Sequence, residues 1–260
     1  MISSTELYLI IGFSVIGWVS YRRRKVVLSG YVCILIFSAA LILSSSYSVL
    51  TAISVAFVCS AIITTLKKRL IPRFKNDGAE DTPRNWKQAT ANMGLPVILV
   101  LSARINDEQS MTFTAFAALA CATADTWSSE IGILSRSRPV LMLSRKNVPA
   151  GVSGGVTSLG LFCSMLGSLT IACVYYFYYL RRDETICILI LGIIGSVIDS
   201  IIGELFQAKY LSQEKELTDT DSAGKLVKGY RMITNNSVNF LAVSLTALIA
   251  FLVKNSLLNQ

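Results

Sequence analysis

Long apolar runs separated by short polar connections recur along almost the whole chain. A helix of about 20 apolar residues crosses a hydrocarbon core of about 30 Å, so each long run predicts a membrane-spanning helix. Eight are predicted, over residues 5–21, 26–43, 49–66, 86–103, 111–126, 156–180, 185–206 and 236–253. The fourth contains Gly94 and Pro96, and the fifth is short before Asp125, so we expect one or two broken helices. The predicted fold is an all-α, polytopic membrane bundle forming one domain over residues 1–260.

Composition supports this class and restricts the chemistry. Of the 260 residues, 53% are hydrophobic and 15% charged, and the mean hydropathy is +0.57, which is atypical of a soluble domain. The chain contains no histidine, which excludes a Ser-His-Asp triad, a His-ligated haem and a histidine base. The six cysteines lie in apolar segments without the spacing of a zinc site. Acid–base or metal chemistry must therefore use carboxylates.

Lysine and arginine are concentrated in alternate connections. The first, third, fifth and seventh contain most of them, in runs such as Arg22 to Lys25 and Lys67 to Lys75, whereas the opposite side has Arg104, Arg181, Arg182 and Lys254. Because cytoplasmic loops carry the positive excess, we expect both termini to be non-cytoplasmic. We also expect an intracellular membrane such as the endoplasmic reticulum, with the lipid bilayer as partner. This topology explains the positive charge, so nucleic-acid binding is not expected.

Two acidic runs stand at the ends of apolar segments. Asp125-Thr126 is followed after three residues by Glu130, and Asp199-Ser200 is followed in the same way by Glu204. Ionisable side chains at membrane depth are expensive and are usually retained for a site. With the predicted topology, both runs lie at the cytoplasmic side. Other polar residues reach the same side from the starts of helices four and eight: Arg84, Gln88, Asn92, Asn235, Asn236 and Asn239.

The carboxylates suit a hard cation, but the local pattern leaves alternatives open. Asp125 and Glu130 share a helical face poorly unless the helix breaks near Trp127. With that break, Asp125, Glu130 and Asp199 are candidate Mg²⁺ ligands. Alternatively, Asp125 caps a following short helix. Asp199 requires a cation, an arginine or a metal as its partner, and Glu204 is expected to be solvated.

A glycine-rich segment precedes the sixth helix. Gly151, Gly154 and Gly155 can expose backbone N–H groups to a phosphate near a helix N-terminus, and Arg145 and Lys146 lie just before them. Such glycines also serve simply to allow tight packing, so both interpretations remain at this point.

These motifs together resemble the transmembrane protein nineteen family, a group of integral membrane proteins whose plant members include phytyl phosphate kinase. The matching segments are Arg84 to Gln88 with Asn92 to Gly94, Ala124 to Gly132, Val148 to Thr157, Gly195 to Gly203, and Asn235 to Asn239. They follow the family's order over about 150 residues. Where the family usually has Gly-Thr-Asn-Gly-Gly, this chain has Gly151-Val152-Ser153-Gly154-Gly155, which lacks the amide side chain.

The resemblance implies a kinase that transfers a phosphoryl group from CTP or ATP to an isoprenoid monophosphate at the cytoplasmic membrane face. Asp125 and Asp199 would be catalytic, with Mg²⁺ held by Asp125, Glu130 and Asp199. The residues expected to bind phosphate are Arg84, Arg145, Lys146, Gly151, Gly154, Gly155, Asn92, Asn235 and Asn239. Two alternatives are a transporter or scramblase of lipid phosphates, and a non-enzymatic protein whose acids pair with Arg84 or Arg145.

Overall fold

The computed structural model describes residues 3–70, 83–103, 108–211, 216–221 and 225–258. Within them the chain forms eight helices, of which α4 consists of three consecutive segments. Their bounds are α1 Ser4–Arg22, α2 Leu28–Leu43, α3 Tyr47–Leu70, α4 Trp86–Ala89, Thr90–Gly94 and Leu95–Ser102, α5 Glu108–Gly132, α6 Ser158–Tyr179, α7 Arg182–Phe206 and α8 Asn235–Leu258. The predicted helical bundle is confirmed. Of the cationic residues used to orient it, Arg73, Lys75, Arg104 and Lys215 lie outside the described residues.

Helix α5 is the centre of the bundle and packs against α3, α4, α6, α7 and α8. Every residue from Thr112 to Ala124 is buried, and many of them are alanine. Small side chains allow neighbouring helices to approach closely. Because this surrounding ring shields α5 from lipid, its sequence can be less apolar than that of an outer helix.

The outer helices carry the strongest membrane signal. Among the described residues, Tyr47–Lys67, Ser158–Tyr179, Arg182–Phe206 and Asn235–Ser256 are long and apolar enough to cross a membrane, and Leu28–Leu43 is a shorter apolar helix. Large apolar side chains such as Ile11, Ile62, Phe177 and Leu252 are more than half exposed. An exposed apolar surface of this extent indicates contact with lipid.

Helices α4 and α5 test the expected breaks. In α4 the interruption is a π-helical turn, Thr90–Gly94, which ends two residues before Pro96. A π-helical turn contains one residue more than an α-helical turn and is frequent at functional sites. Helix α5, in contrast, continues without interruption to Gly132. The break near Trp127 and the alternative in which Asp125 caps a new helix are therefore both wrong, since Ser128 and Ser129 continue the helix.

The connections after α1, α5 and α7, together with residues 83–85 before α4, lie at one end of the bundle, which we call the basic end. The connections after α5 and α7 each contain one small sheet. Strand β1 (Val140–Leu141) pairs antiparallel with β2 (Gly155–Val156), with Leu141 opposite Gly155. Strand β3 (Lys209–Leu211) lies between β4 (Leu217–Thr218) and β5 (Lys225–Lys228), again antiparallel. The prediction of helices alone did not include these strands, which are only two to four residues long.

Candidate functional site

Asp125 and Asp199 face each other across the interface of α5 and α7. Their carboxyl groups are close enough to share a hydrogen bond, and Asp199 is only 6% exposed. Gly192 and Gly195 allow this approach, because a Cβ at either position would lie within 3 Å of Ala120 or Cys121 of α5. Two carboxylates in contact, one of them buried and the other half-buried, need a proton or a cation between them. The first acidic residue of each run, Asp125 and Asp199, therefore lies in the same site.

Asparagine side chains extend this carboxylate pair to α8 and α4. In the orientation that satisfies its neighbours, the Asn239 amide donates to Asp199 Oδ2 at 3.3 Å and to the Asn235 carbonyl at 2.9 Å. The same amide lies 3.1 Å from the Asn92 side chain. Asn92 belongs to the π turn of α4, so the irregular turn presents a polar side chain beside the acids.

The first of two polar cavities, the arginine cavity, lies on the α4 side of the acids and has a volume of about 210 Å³. Its polar lining comprises Arg84, Asn85, Gln88, Asn92, Asp125, Thr126, Ser129, Glu130, Asn235 and Asn239. The Arg84 backbone pairs with residues on both sides of Val26, donating to the Lys25 carbonyl and accepting from Val27 N–H, both at 3.1 Å. This short bridge fixes Arg84 before α4 begins.

Glu130 lines the same cavity but already has partners. Its Oε1 lies 3.4 Å from Arg84 Nη2, and its Oε2 accepts from Thr64 Oγ1 at 2.6 Å. The Arg84 guanidinium also lies 5.8 Å from the Phe57 ring centroid. Glu130 therefore orients the guanidinium, while Asp125, on the same continuous helix, contacts Asp199.

The second cavity, the glycine cavity, lies on the opposite side of the acids and has a volume of about 120 Å³. It is lined by Gly151, Gly154 and Gly155, by Asp125 and Asp199, and by residues from the ends of α5 and α7. Gly151 and Gly154 have φ of +91° and +81°, a backbone region that favours glycine. Asp125, Ser129 and Asn235 line both cavities, so the two adjoin at Asp125.

Glu204 corrects one expectation, because it is 1% exposed rather than solvated. Its carboxylate accepts from the backbone N–H groups of Leu143 and Ser144 at 2.7 and 2.9 Å. It thus holds the connection between α5 and α6 against α7. Arg145 and Lys146 follow directly, but their side chains are exposed and line neither cavity.

Asp219 was missed in the sequence and lies in the glycine cavity. Its Oδ2 accepts from Ser153 N–H and Gln207 Nε2, both at 2.9 Å, so the connection after α7 holds the glycine segment. Its Oδ1 is buried and finds no hydrogen-bond partner among the described residues. Burial raises the pKa of Asp219, opposed by the Ser153 hydrogen bond and by the charge of Lys209.

Lys209, also unassigned in the sequence, is fully buried beside this segment. Its ammonium donates to the Gly203 carbonyl at 2.6 Å, near the C-terminus of α7. Burial lowers its pKa, and Asp219 opposes that shift. A cation at this point is favoured by the negative end of the helix dipole.

A divalent metal suits the oxygen atoms of this site. Asp125 and Asp199 provide the carboxylates, and Asp219 Oδ1 and Gln88 Oε1 are buried acceptors without partners among the described residues. Hard cations such as Mg²⁺ bind one or two carboxylates and complete their coordination with water or substrate phosphate. The described residues contain no cluster of three or more His, Cys, Asp or Glu that could hold a metal alone. A divalent cation held by Asp125 and Asp199 would therefore need further ligands from water or from a bound phosphate.

Comparison with known proteins gives a family and two informative relatives. The family profile described as integral membrane protein DUF92 matches residues 11–247. Protein PGR of Arabidopsis thaliana is 29% identical over 274 residues, which cover 93% of each chain. The uncharacterized membrane protein MJ0933 of Methanocaldococcus jannaschii is 31% identical over 130 residues, or 50% of this chain and 54% of the archaeal one. No solved structure matches the chain.

Proposed function

Since the chain belongs to the DUF92 family of integral membrane proteins, we propose that it is a membrane-bound kinase of isoprenoid phosphates. It would transfer the terminal phosphoryl group of CTP or ATP to an isoprenoid monophosphate and release an isoprenoid diphosphate. The observation that carries this proposal is the position of Asp125, which lines both the arginine and the glycine cavity and contacts Asp199, a lining residue of the glycine cavity. Two adjoining cavities would hold two phosphorylated substrates with their phosphates side by side at Asp125.

This phosphoryl transfer needs residues that position the two substrates and neutralise their negative charge, rather than residues that abstract a proton. An oxygen of the acceptor monophosphate attacks the terminal phosphorus of the nucleotide, and the bond to the nucleoside diphosphate breaks. Because that oxygen is already ionised near neutral pH, no general base is needed, consistent with a chain that has no histidine. Phosphoryl transfer depends mainly on alignment and charge stabilisation.

Each cavity has groups for one substrate. In the arginine cavity, the Arg84 guanidinium would bind the acceptor phosphate, since its fork of N–H donors matches phosphate oxygens. In the glycine cavity, nucleotide phosphates would lie near Gly151 and the start of α6, whereas Gly154 and Gly155 allow close packing against Glu204 and Pro139. When bound at Asp125 and Asp199, Mg²⁺ would neutralise phosphate charge. Glu130 would act through Arg84 rather than as a metal ligand, and exposed Arg145 and Lys146 would attract nucleotide from the cytoplasm.

Activity of the purified full-length chain tests this proposal. In detergent with Mg²⁺, CTP or ATP, and phytyl or geranylgeranyl monophosphate, we expect a diphosphate product detectable by mass spectrometry. Asp125→Asn should reduce kcat by at least about a hundredfold, because it removes charge at the metal and the transferring group. The matched control is Asp183→Asn, an exposed aspartate near the start of α7, which should retain full activity. Absence of product with every nucleotide and acceptor chain length would refute the kinase proposal.

A transporter would need a different arrangement of polar residues in the bundle. Alternating access needs a polar route to both ends, but the end opposite the acids is filled by Phe113, Phe116 and Tyr175 and by a buried Glu184–Lys254 ion pair. This packing favours chemistry at one face. Flux of a lipid phosphate across protein-containing vesicles without nucleotide would instead support transport.

A further inference from the structure

An apolar groove lies beside the arginine cavity, bounded by α1, α2, α3 and the first turns of α4. It has a volume of about 140 Å³ and is lined almost entirely by apolar atoms. Its walls extend from Cys33 to Leu41 along α2 and from Leu50 to Val58 along α3. At 1.5 Å per residue, each wall is about 12 Å long. This shape suits a hydrocarbon chain lying between the helices.

The groove and the arginine cavity are continuous. Ile34, Phe57, Ala89 and Met93 line both of them. Phe57 marks the boundary, since its ring faces the Arg84 guanidinium at 5.8 Å. A cation at one end and an apolar channel at the other match a ligand with an anionic head and a hydrocarbon tail.

We propose that this groove binds the isoprenoid tail of the acceptor substrate, with its phosphate at Arg84 and its hydrocarbon between α2 and α3. The identity of the ligand rests on the proposed function, whereas the placement rests on the continuity of the groove with the arginine cavity. Tail binding would align the phosphate with the Asp125–Asp199 pair. It would also make the enzyme select acceptors by chain length, because a short tail leaves most of the groove unfilled.

Photo-crosslinking tests the placement without requiring turnover. The wild-type protein is reconstituted in phosphatidylcholine vesicles with geranylgeranyl monophosphate that carries a diazirine at its tail end, and labelled peptides are mapped by mass spectrometry. We expect labels on groove residues of α2 and α3 and their loss with excess unlabelled geranylgeranyl monophosphate. Labels confined to lipid-facing residues such as Ile62 would overturn the proposal. Equal competition by dimethylallyl monophosphate, or by added phosphatidic acid, would overturn it too, because the groove would then not select an isoprenoid tail.

A groove-filling variant gives the kinetic counterpart. Ser54 lines the groove on α3 and bonds its own helix, donating to the Leu50 carbonyl at 2.7 Å. Ser54→Phe should raise the KM for geranylgeranyl monophosphate by about tenfold and change turnover of dimethylallyl monophosphate by less than about twofold. Ile62→Phe, on the exposed surface of the same helix, is the matched control and should affect neither. Equal loss for both acceptors would contradict tail binding here.

The two tests separate the groove from the kinase proposal. If the probe labels the groove but no diphosphate forms, the groove assignment stands and the kinase proposal fails. If diphosphate forms but labels lie elsewhere, the kinase proposal stands and the groove assignment fails.

Discussion

Each acidic run divides its two residues between separate roles. The first acids, Asp125 and Asp199, meet in the site. The second acids hold connections: Glu130 contacts Arg84 from the segment before α4, and Glu204 binds the backbone after α5. Because the spacing is the same in both runs, each second acid lies five residues beyond the carboxylate pair, where it contacts a connection between helices.

Asp219 adds a third carboxylate whose two oxygens differ. Oδ2 accepts hydrogen bonds from Ser153 and Gln207, whereas Oδ1 has no hydrogen-bond partner among the described residues. We expect Asp219→Asn to keep the hydrogen bonds from Ser153 and Gln207 through its amide oxygen, so the melting midpoint changes little. The Mg²⁺ concentration for half-maximal turnover should rise about tenfold, because a negative charge that attracts the cation is lost from the glycine cavity.

Two further variants separate these roles of Asp219. Asp219→Ala should lower the melting midpoint as well, since it also leaves Ser153 N–H unpaired. Asp221→Asn, an exposed neighbour, is the control. A Mg²⁺ dependence unchanged in Asp219→Asn would mean that Asp219 only holds the glycine segment.

At the scale of elements, the glycine segment is shaped by contact with α7. Gly154 has φ +81°, and a Cβ there would lie 2.7 Å from Glu204 N. Gly154→Ala should therefore weaken the packing of this segment against α7 by about 1–3 kcal/mol. The loss would be measured as faster hydrogen exchange over residues 149–157 in detergent. Gly12→Ala is the control, because a Cβ at Gly12 would meet no atom within 4 Å. If hydrogen exchange in Gly154→Ala is as slow as in the wild type, the expected clash does not occur.

The elements also show what the sequence could predict. Apolar length was enough to locate the helices to within about five residues, except at the end of α5, where Asp125 and the polar residues after it resemble the start of a new helix. They continue the helix because neighbours surround α5, and Trp127 donates to Ser60 of α3 at 3.2 Å. Asp125 and Asp199 were identifiable as costly charges in apolar runs. The burial of Glu204 and the contact of Asp219 with Ser153 were not, because they depend on how separate connections fold together.

For the molecule as a whole, polar groups concentrate at the two ends of the bundle in different ways. At the basic end they line cavities, whereas at the opposite end they satisfy one another. There, Glu184 accepts from Lys254 at 2.7 Å, Arg181 at 2.8 Å and Gln109 at 3.1 Å, and from the Tyr175 hydroxyl. This cluster ties α5, α6, α7 and α8 together on the side where no reaction is proposed.

Breaking this cluster should therefore reduce stability without changing the chemistry. Lys254 is 3% exposed, so Lys254→Met leaves buried Glu184 charge less compensated and should cost roughly 3 kcal/mol. Unfolding in mixed micelles titrated with sodium dodecyl sulfate measures this loss, and Arg182→Met, at an exposed site, is the control. The double variant with Glu184→Gln should recover part of the loss, because the unpaired charge is removed. Specific activity per folded protein should stay unchanged; a fall in kcat with unchanged stability would instead make the cluster part of the functional site.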